Sequence, residues 1–225
     1  MPSIDAVLLD IEGTLSSQSY VAGTLFPFSR ARLPGYVAEH ADDPAVRQVL
    51  AETRALAGPD EEPVAALLRW IDEDRKLGPL KTIQGMIWDE GYAGGKIFGH
   101  IFPDALAALR RWQAAGMPRH IYSSGSVRAQ TQFFRHSRDG DLRDLFDGHF
   151  DLTIGPKLEA ESYRKVAAAL QIRPERLRFF SDNPRELAAA AEAGAQVLQV
   201  IREDTAADPR FAQIHSFAEA PAWAD

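Results

Sequence analysis

An apolar run near the start of the chain ends in two carboxylates: AVLLDIEGT places Asp10 and Glu12 two residues apart, with Gly13 and Thr14 directly behind. Carboxylates so placed can serve as nucleophile, as acid and base, or as oxygen ligands of a hard cation. A second group stands in IYSSGSVRAQ, where Ser123, Ser124, Gly125 and Ser126 offer hydroxyls and free backbone N–H groups to an anion. GPKLE contributes the ammonium of Lys157, and SDNPRE contributes Asp182. Acids, an anion cradle and one ammonium together point to an anionic ligand, with a metal ion to reconcile it with the acids. Each residue alone has a plainer reading, since Asp or Ser after a strand often caps the next helix and a lysine is usually solvated. Asn183, Pro184 and Glu186 have the order of a capping-box start, with Asn at the cap, Pro first and Glu third. That order assigns Glu186 to structure first and to a metal site second.

The elements that must position these groups are legible as alternating patterns. AVLLDI, RHIYSS, HFDLTI, LRFFSD and QVLQVI read as strands, and PDALAALRRWQAAG, VRAQTQFFRHS, EAESYRKVAAAL and PRELAAAAEAG read as the helices between them. Such βαβ succession predicts an α/β fold, a doubly wound and mainly parallel sheet. Ligands of such sheets gather beyond the carboxyl ends of the strands, which is where Asp10, Glu12, Ser123, Ser124, Lys157 and Asp182 fall. Between residues 18 and 98 the strand signal vanishes, and FSRARLPGYVAEHA, DPAVRQVLAETRALAG, PVAALLRWIDEDRKLG and LKTIQGMIWDEG read as helices. The expected organisation is a core of residues 1–17 and 99–225 with an α-helical segment, 18–98, inserted after the first acidic group. Gly94, Gly95 and Gly99 suit the return hinge, and His100 suits a hydrogen-bonding role beside it. Gln84 and Trp88 lie one helical turn apart and could offer an amide and an aromatic surface to a ligand, although packing is the plainer reading. Lys165, four residues after Glu161, is expected to pair with it on a helix surface.

Composition narrows the class. With 225 residues, 45% hydrophobic and 25% charged, the chain has material for a sizeable core and is expected to be globular and soluble. No apolar run approaches the roughly 20 residues of a membrane span, and MPSIDAVLLD carries neither a secretory nor an Arg-rich transit pattern, so a cytoplasmic protein is expected. The absence of cysteine excludes disulfides, thiolate metal sites and cysteine nucleophiles. A net charge of -7 gives no general attraction to nucleic acid or to an anionic membrane.

DIEGT, SSGS, GPK and SDNPRE, in this order, resemble the motifs of the haloacid dehalogenase superfamily of phosphohydrolases. Glu12 stands where most of that superfamily has a second Asp. With LFPF, LKTIQGMIWDEGY, GHIFPD, IYSSGSVRAQ and LFDGHFDLTIGPKLEAESYRK, it makes residues 7–202 resemble the enolase-phosphatases, or acireductone synthases. The resemblance implies Mg²⁺-dependent enolisation of 2,3-diketo-5-methylthiopentyl-1-phosphate followed by loss of phosphate, in methionine salvage, by a monomeric enzyme. Asp10 would be the nucleophile and Glu12 the acid and base. Lys157 would be a catalytic counter-charge that also binds the phosphate with Ser123 and Ser124. Asp10, the Glu12 carbonyl and Asp182 would hold Mg²⁺, and the inserted helices would close over the site. A phosphatase of another small phosphoester and a noncatalytic phospho-acceptor module are the alternatives.

Overall fold

The computed structural model describes residues 3–202 and 205–220; the outermost residues of the expected core segments, and residues 203 and 204, lie outside the described part. Backbone contacts divide the chain into two units, residues 1–18 with 99–225 and residues 19–98.

The first unit is built on a parallel sheet. Its strands are β1 (Ala6–Leu9), β2 (Arg119–Tyr122), β3 (Gly148–Phe150), β4 (Leu177–Ser181), β5 (Gln196–Val200) and β6 (Gln213–Ile214), in the order β3-β2-β1-β4-β5-β6. β1 is central and is buried at every residue, which is why it reads as an unbroken apolar run. Successive side chains alternate between faces. Ala6 and Leu8 join Tyr122, Tyr163, Val166, Phe179 and Leu187 in one core layer. On the other face, Trp112 packs on Phe180 and Phe217, with ring centroids 5.7 and 5.8 Å away.

The second unit is helical. α1 (Gln18–Tyr20), which begins at the last residue of the first unit's leading segment, runs through a π-helical turn, Val21–Leu25, into α2 (Phe26–Glu39), followed by α3 (Pro44–Ala57), α4 (Pro63–Asp72) and α5 (Gly78–Ala93). Leu33, Tyr36, Val46, Val49, Leu67, Trp70, Leu80, Ile83 and Ile87 form its core. Proline in the first turn opens α2 to α5, where the missing N–H costs no helical bond. Asp43 caps α3 by accepting from the Ala45 N–H at 2.8 Å. Gln84 is buried and donates to Ser29 Oγ at 3.4 Å, and the Trp88 N–H donates to the Leu25 carbonyl at 2.8 Å. Both polar groups are therefore used inside the unit.

After the return of the chain come α6 (Pro103–Ala114), α7 (Val127–Arg135), α8 (Ala160–Ala169) and α9 (Pro184–Glu192). Two expectations need correction. HFDLTI is strand only as far as Phe150, because Asp151 Oδ1 accepts from the Thr153 N–H at 2.9 Å and its hydroxyl at 2.6 Å, bending the chain into a turn. Glu161 pairs with Arg164, three residues on, rather than with Lys165. No helix among the described residues is long and apolar enough to cross a membrane.

Candidate active site

The parallel register sets the first positions of the site. Leu9 stands beside Ile121 on one side and Phe180 on the other, so the residues just beyond β1, β2 and β4 emerge together at one sheet edge. Asp10, Ser123 and Asp182 are those residues. The Asp10 N–H still donates to the Phe180 carbonyl at 3.0 Å, which ties the first residue after β1 to β4.

Lys157 arrives from the loop between β3 and α8. Its Nζ lies 2.5 Å from Asp10 Oδ1 and 2.6 Å from Glu186 Oε2, with both Lys157 and Asp10 buried at 7% and 6% exposure. Burial opposes the Lys157 charge, yet Asp10 and Glu186 outweigh it and push its pKa up to about 12. The same crowding raises two acids. Burial, followed by the charges of Asp10 and Glu186, raises Asp182 to about 7 against the pull of Lys157. Burial and Asp10 likewise raise Glu186 despite the ammonium beside it.

Gly13 has φ +73, and a Cβ on it would collide with Asp182 Oδ2, so glycine is required for both the turn and the close approach of the carboxylate. Thr14 is fully buried and its Oγ1 accepts from the Asp182 N–H at 3.0 Å, tying the loop after β1 to the loop after β4. Glu12 is half-buried on the same turn. His100 Nδ1 accepts from the Ser17 N–H at 3.2 Å and lies 3.2 Å from Ser16 Oγ, so it braces the end of the DIEGT loop.

The turn after β2 is held from below. Ser123 is buried and its Oγ accepts from the Gly125 N–H at 3.4 Å, while Ser124 is exposed. Ser126 caps α7, accepting from the Ala129 N–H at 3.2 Å. Gln130 is buried, and its amide nitrogen donates to the Gly125 and Phe150 carbonyls, both at 2.8 Å. That use of both hydrogens turns its oxygen toward His149 Nδ1 at 3.0 Å, so Nδ1 carries the proton.

Asp10 and Lys157, both buried, form one charged network with Asp182 and Glu186, both partly buried. Glu186 is the member that sequence reasoning assigned to a cap. Asn183 does cap α9, accepting from the Arg185 N–H at 3.0 Å. Glu186, however, turns inward to Lys157 and to the Ser181 hydroxyl at 3.1 Å, and the Asn183 N–H donates to Ser181 Oγ instead. The only available signal was spacing: Glu186 sits one helical turn beyond Asp182.

Three acids face one ammonium here, and Asp182 is raised by burial first and by the charges of Asp10 and Glu186 after it. Oxygen donors in that condition fit a divalent cation. Among the described residues no group of three or more acidic or histidine side chains is arranged to hold a metal ion. Two carboxylates, a backbone carbonyl and waters remain a sufficient donor set, because small hard cations keep much of their water.

Residues 4–194 match the family of haloacid dehalogenase-like hydrolases. The chain is 54% identical to the enolase-phosphatase E1 of Bradyrhizobium sp., covering 95% of this chain and 93% of that protein. It is 43% identical to the enolase-phosphatase E1 of Aquifex aeolicus, covering 96% and 98%. Among solved structures it is similar to the UTR4 protein of Saccharomyces cerevisiae, at 31% identity and a TM-score of 0.83, covering 96% and 100%.

Proposed function

This chain belongs to the haloacid dehalogenase-like hydrolase family, and from that premise we infer that it is a bifunctional enolase-phosphatase of methionine salvage. It converts 2,3-diketo-5-methylthiopentyl-1-phosphate through the enol-phosphate to 1,2-dihydroxy-3-keto-5-methylthiopentene and phosphate. The observation that carries this reading is the buried contact of Lys157 Nζ with Asp10 Oδ1 at 2.5 Å, which puts a nucleophile and a counter-charge together at the sheet edge.

Asp10 attacks phosphorus through one carboxylate oxygen; the bond from phosphorus to the enol oxygen breaks and an aspartyl-phosphate forms. Glu12 gives a proton to the departing oxygen and then takes one from the water that splits the aspartyl-phosphate. Ser123 and Ser124, with backbone N–H groups ahead of α7, hold phosphate oxygens, and Lys157 offsets the charge that builds on them. A divalent cation held by Asp10, Asp182 and the Glu12 carbonyl would neutralise phosphate charge and polarise the substrate carbonyl for enolisation. The all-oxygen donor set favours Mg²⁺. Glu12 also reaches one methylene further than Asp, which suits it to take the proton in enolisation. We assign the phosphohydrolase core to residues 1–17 and 99–225 and treat the helical segment 18–98 as its cap. The enzyme acts as a cytoplasmic monomer on this small molecule, a placement in keeping with a chain that lacks cysteine.

The test is a time course with the diketone phosphate and Mg²⁺ that records enol absorbance and inorganic phosphate together. Both should rise with the native protein. Asp10→Asn should form enol-phosphate and release no phosphate. Absence of both signals from folded native protein would sink the assignment, whereas phosphate release without prior enol would make the protein a phosphatase of another ester. A long-lived phospho-Asp10 with little turnover would make it a phospho-acceptor.

A further inference from the structure

Three successive carbonyls ahead of α8 each receive a side-chain hydroxyl. The Tyr122 hydroxyl donates to the Gly155 carbonyl at 2.7 Å, Ser162 Oγ to the Pro156 carbonyl at 2.7 Å, and the Tyr163 hydroxyl to the Lys157 carbonyl at 2.8 Å. The donors are buried, at 0%, 1% and 0% exposure. Resting on the role just assigned to Lys157, we propose that Tyr122, Ser162 and Tyr163 are positioning residues for the reaction, acting through Lys157.

The physical need is plain. Residues 155–157 belong to no strand or helix, so no ladder fixes their backbone. Lysine adds a long flexible stem with high rotamer entropy, and a small rotation of its Cα would carry Nζ away from Asp10. The donors come from two directions: Tyr122 is the last residue of β2, while Ser162 and Tyr163 lie in the first turn of α8. Bonds from both sides hold three carbonyls in a row and leave the intervening backbone little freedom. Gly155 takes φ +148, and a Cβ on it would collide with Ser162 Oγ, so the segment is shaped to receive that hydroxyl. Tyr122 acts twice, because its ring also lies 5.8 Å from Lys157 Nζ, with the Phe179 ring at 6.0 Å on the same ammonium. Packing alone would be served by phenylalanine at 122 and 163; a buried phenol must find an acceptor, and both find one on the lysine loop.

The experiment compares Tyr122→Phe, Ser162→Ala and Tyr163→Phe, each alone and combined with Lys157→Ala, by single-turnover phosphate release, KM and Tm. Misplacement by about 1 Å can cost roughly 100-fold, so each single variant should lower kcat by about 10-fold or more with KM nearly unchanged. In the Lys157→Ala background the same substitutions should cost nothing further, because the group they aim is gone. Equal losses in both backgrounds would mean that the hydroxyls act without Lys157, and unchanged kcat in the single variants would mean that they aim nothing; either overturns the proposal. Native turnover by Lys157→Ala alone would instead remove the role of Lys157 itself. Three separate substitutions keep the test decisive if one variant does not fold, and a lowered Tm with native kcat counts against the proposal.

Discussion

Asp182, partly buried, and Lys157, buried, sit in one charged network with their titrations pushed in the same direction for opposite reasons. Asp182 is raised to about 7 because burial and two neighbouring acids disfavour its charge, whereas Lys157 is raised to about 12 because two acids favour its charge. The sign for Asp182 follows from proton counting. Between its ordinary 3.8 and about 7 the folded protein holds a proton that the unfolded chain has lost, so metal-free stability falls as pH rises through that window. A cation must displace the same proton. Metal affinity, measured by titration calorimetry, should therefore be weak at about pH 6 and strong at about pH 8. Flat affinity across that range would remove Asp182 from the metal site. Glu186 carries the other lesson at this scale. Its place in a capping sequence and its place beside Lys157 are compatible in spacing, and only the direction of its side chain separates them.

At the scale of elements, the turn after β2 is tied to α7 by the Gln130 side chain as well as by the Ser126 cap. Gln130 spends its amide hydrogens on Gly125 and Phe150, which joins the turn after β2 to β3, and His149 holds its oxygen. Gln130→Leu, close in volume, would remove the side-chain donor of the partly buried Gly125 carbonyl, leave the Phe150 carbonyl only the Ser123 N–H at 3.3 Å, and take the acceptor from His149 Nδ1, at about 1–3 kcal/mol for such a loss. The expected result is a lower Tm together with a raised KM for the phosphorylated substrate; a lowered Tm with native KM would confine Gln130 to stability. Such an element-level link is invisible to periodicity, which reads Gln130 as one more polar position of an amphipathic helix. Similarly, β3 ends early because a side chain, Asp151, competes for the backbone, and β6 has only two residues and so presents no alternation to read. α2 makes the opposite point: it continues through Pro34 because Leu33 and Tyr36 are buried in the helical core, and that packing outweighs local propensity.

For the whole molecule, a cation that binds only the folded chain stabilises it by mass action, about 2.7 kcal/mol at a hundredfold excess over Kd. Chelation should therefore abolish phosphate release and lower Tm, and added Mg²⁺ should restore both; full turnover in chelator would exclude metal from the mechanism. The sequence by itself determined the parallel α/β sheet, since buried strands and amphipathic helices alternate at periods that a chain cannot disguise. It also placed Asp10, Ser123 and Asp182 at strand ends, because the residue after an apolar run is read directly from order. Tertiary structure alone decided what those residues touch. Lys157 and Asp10 are 147 positions apart, and their 2.5 Å contact depends on register, on the turn that ends β3 and on the backbone bonds that carry the lysine loop inward. Glu186 joined them for the same reason: side-chain direction is set by where charge must be compensated in a buried place, and local sequence holds no record of that field.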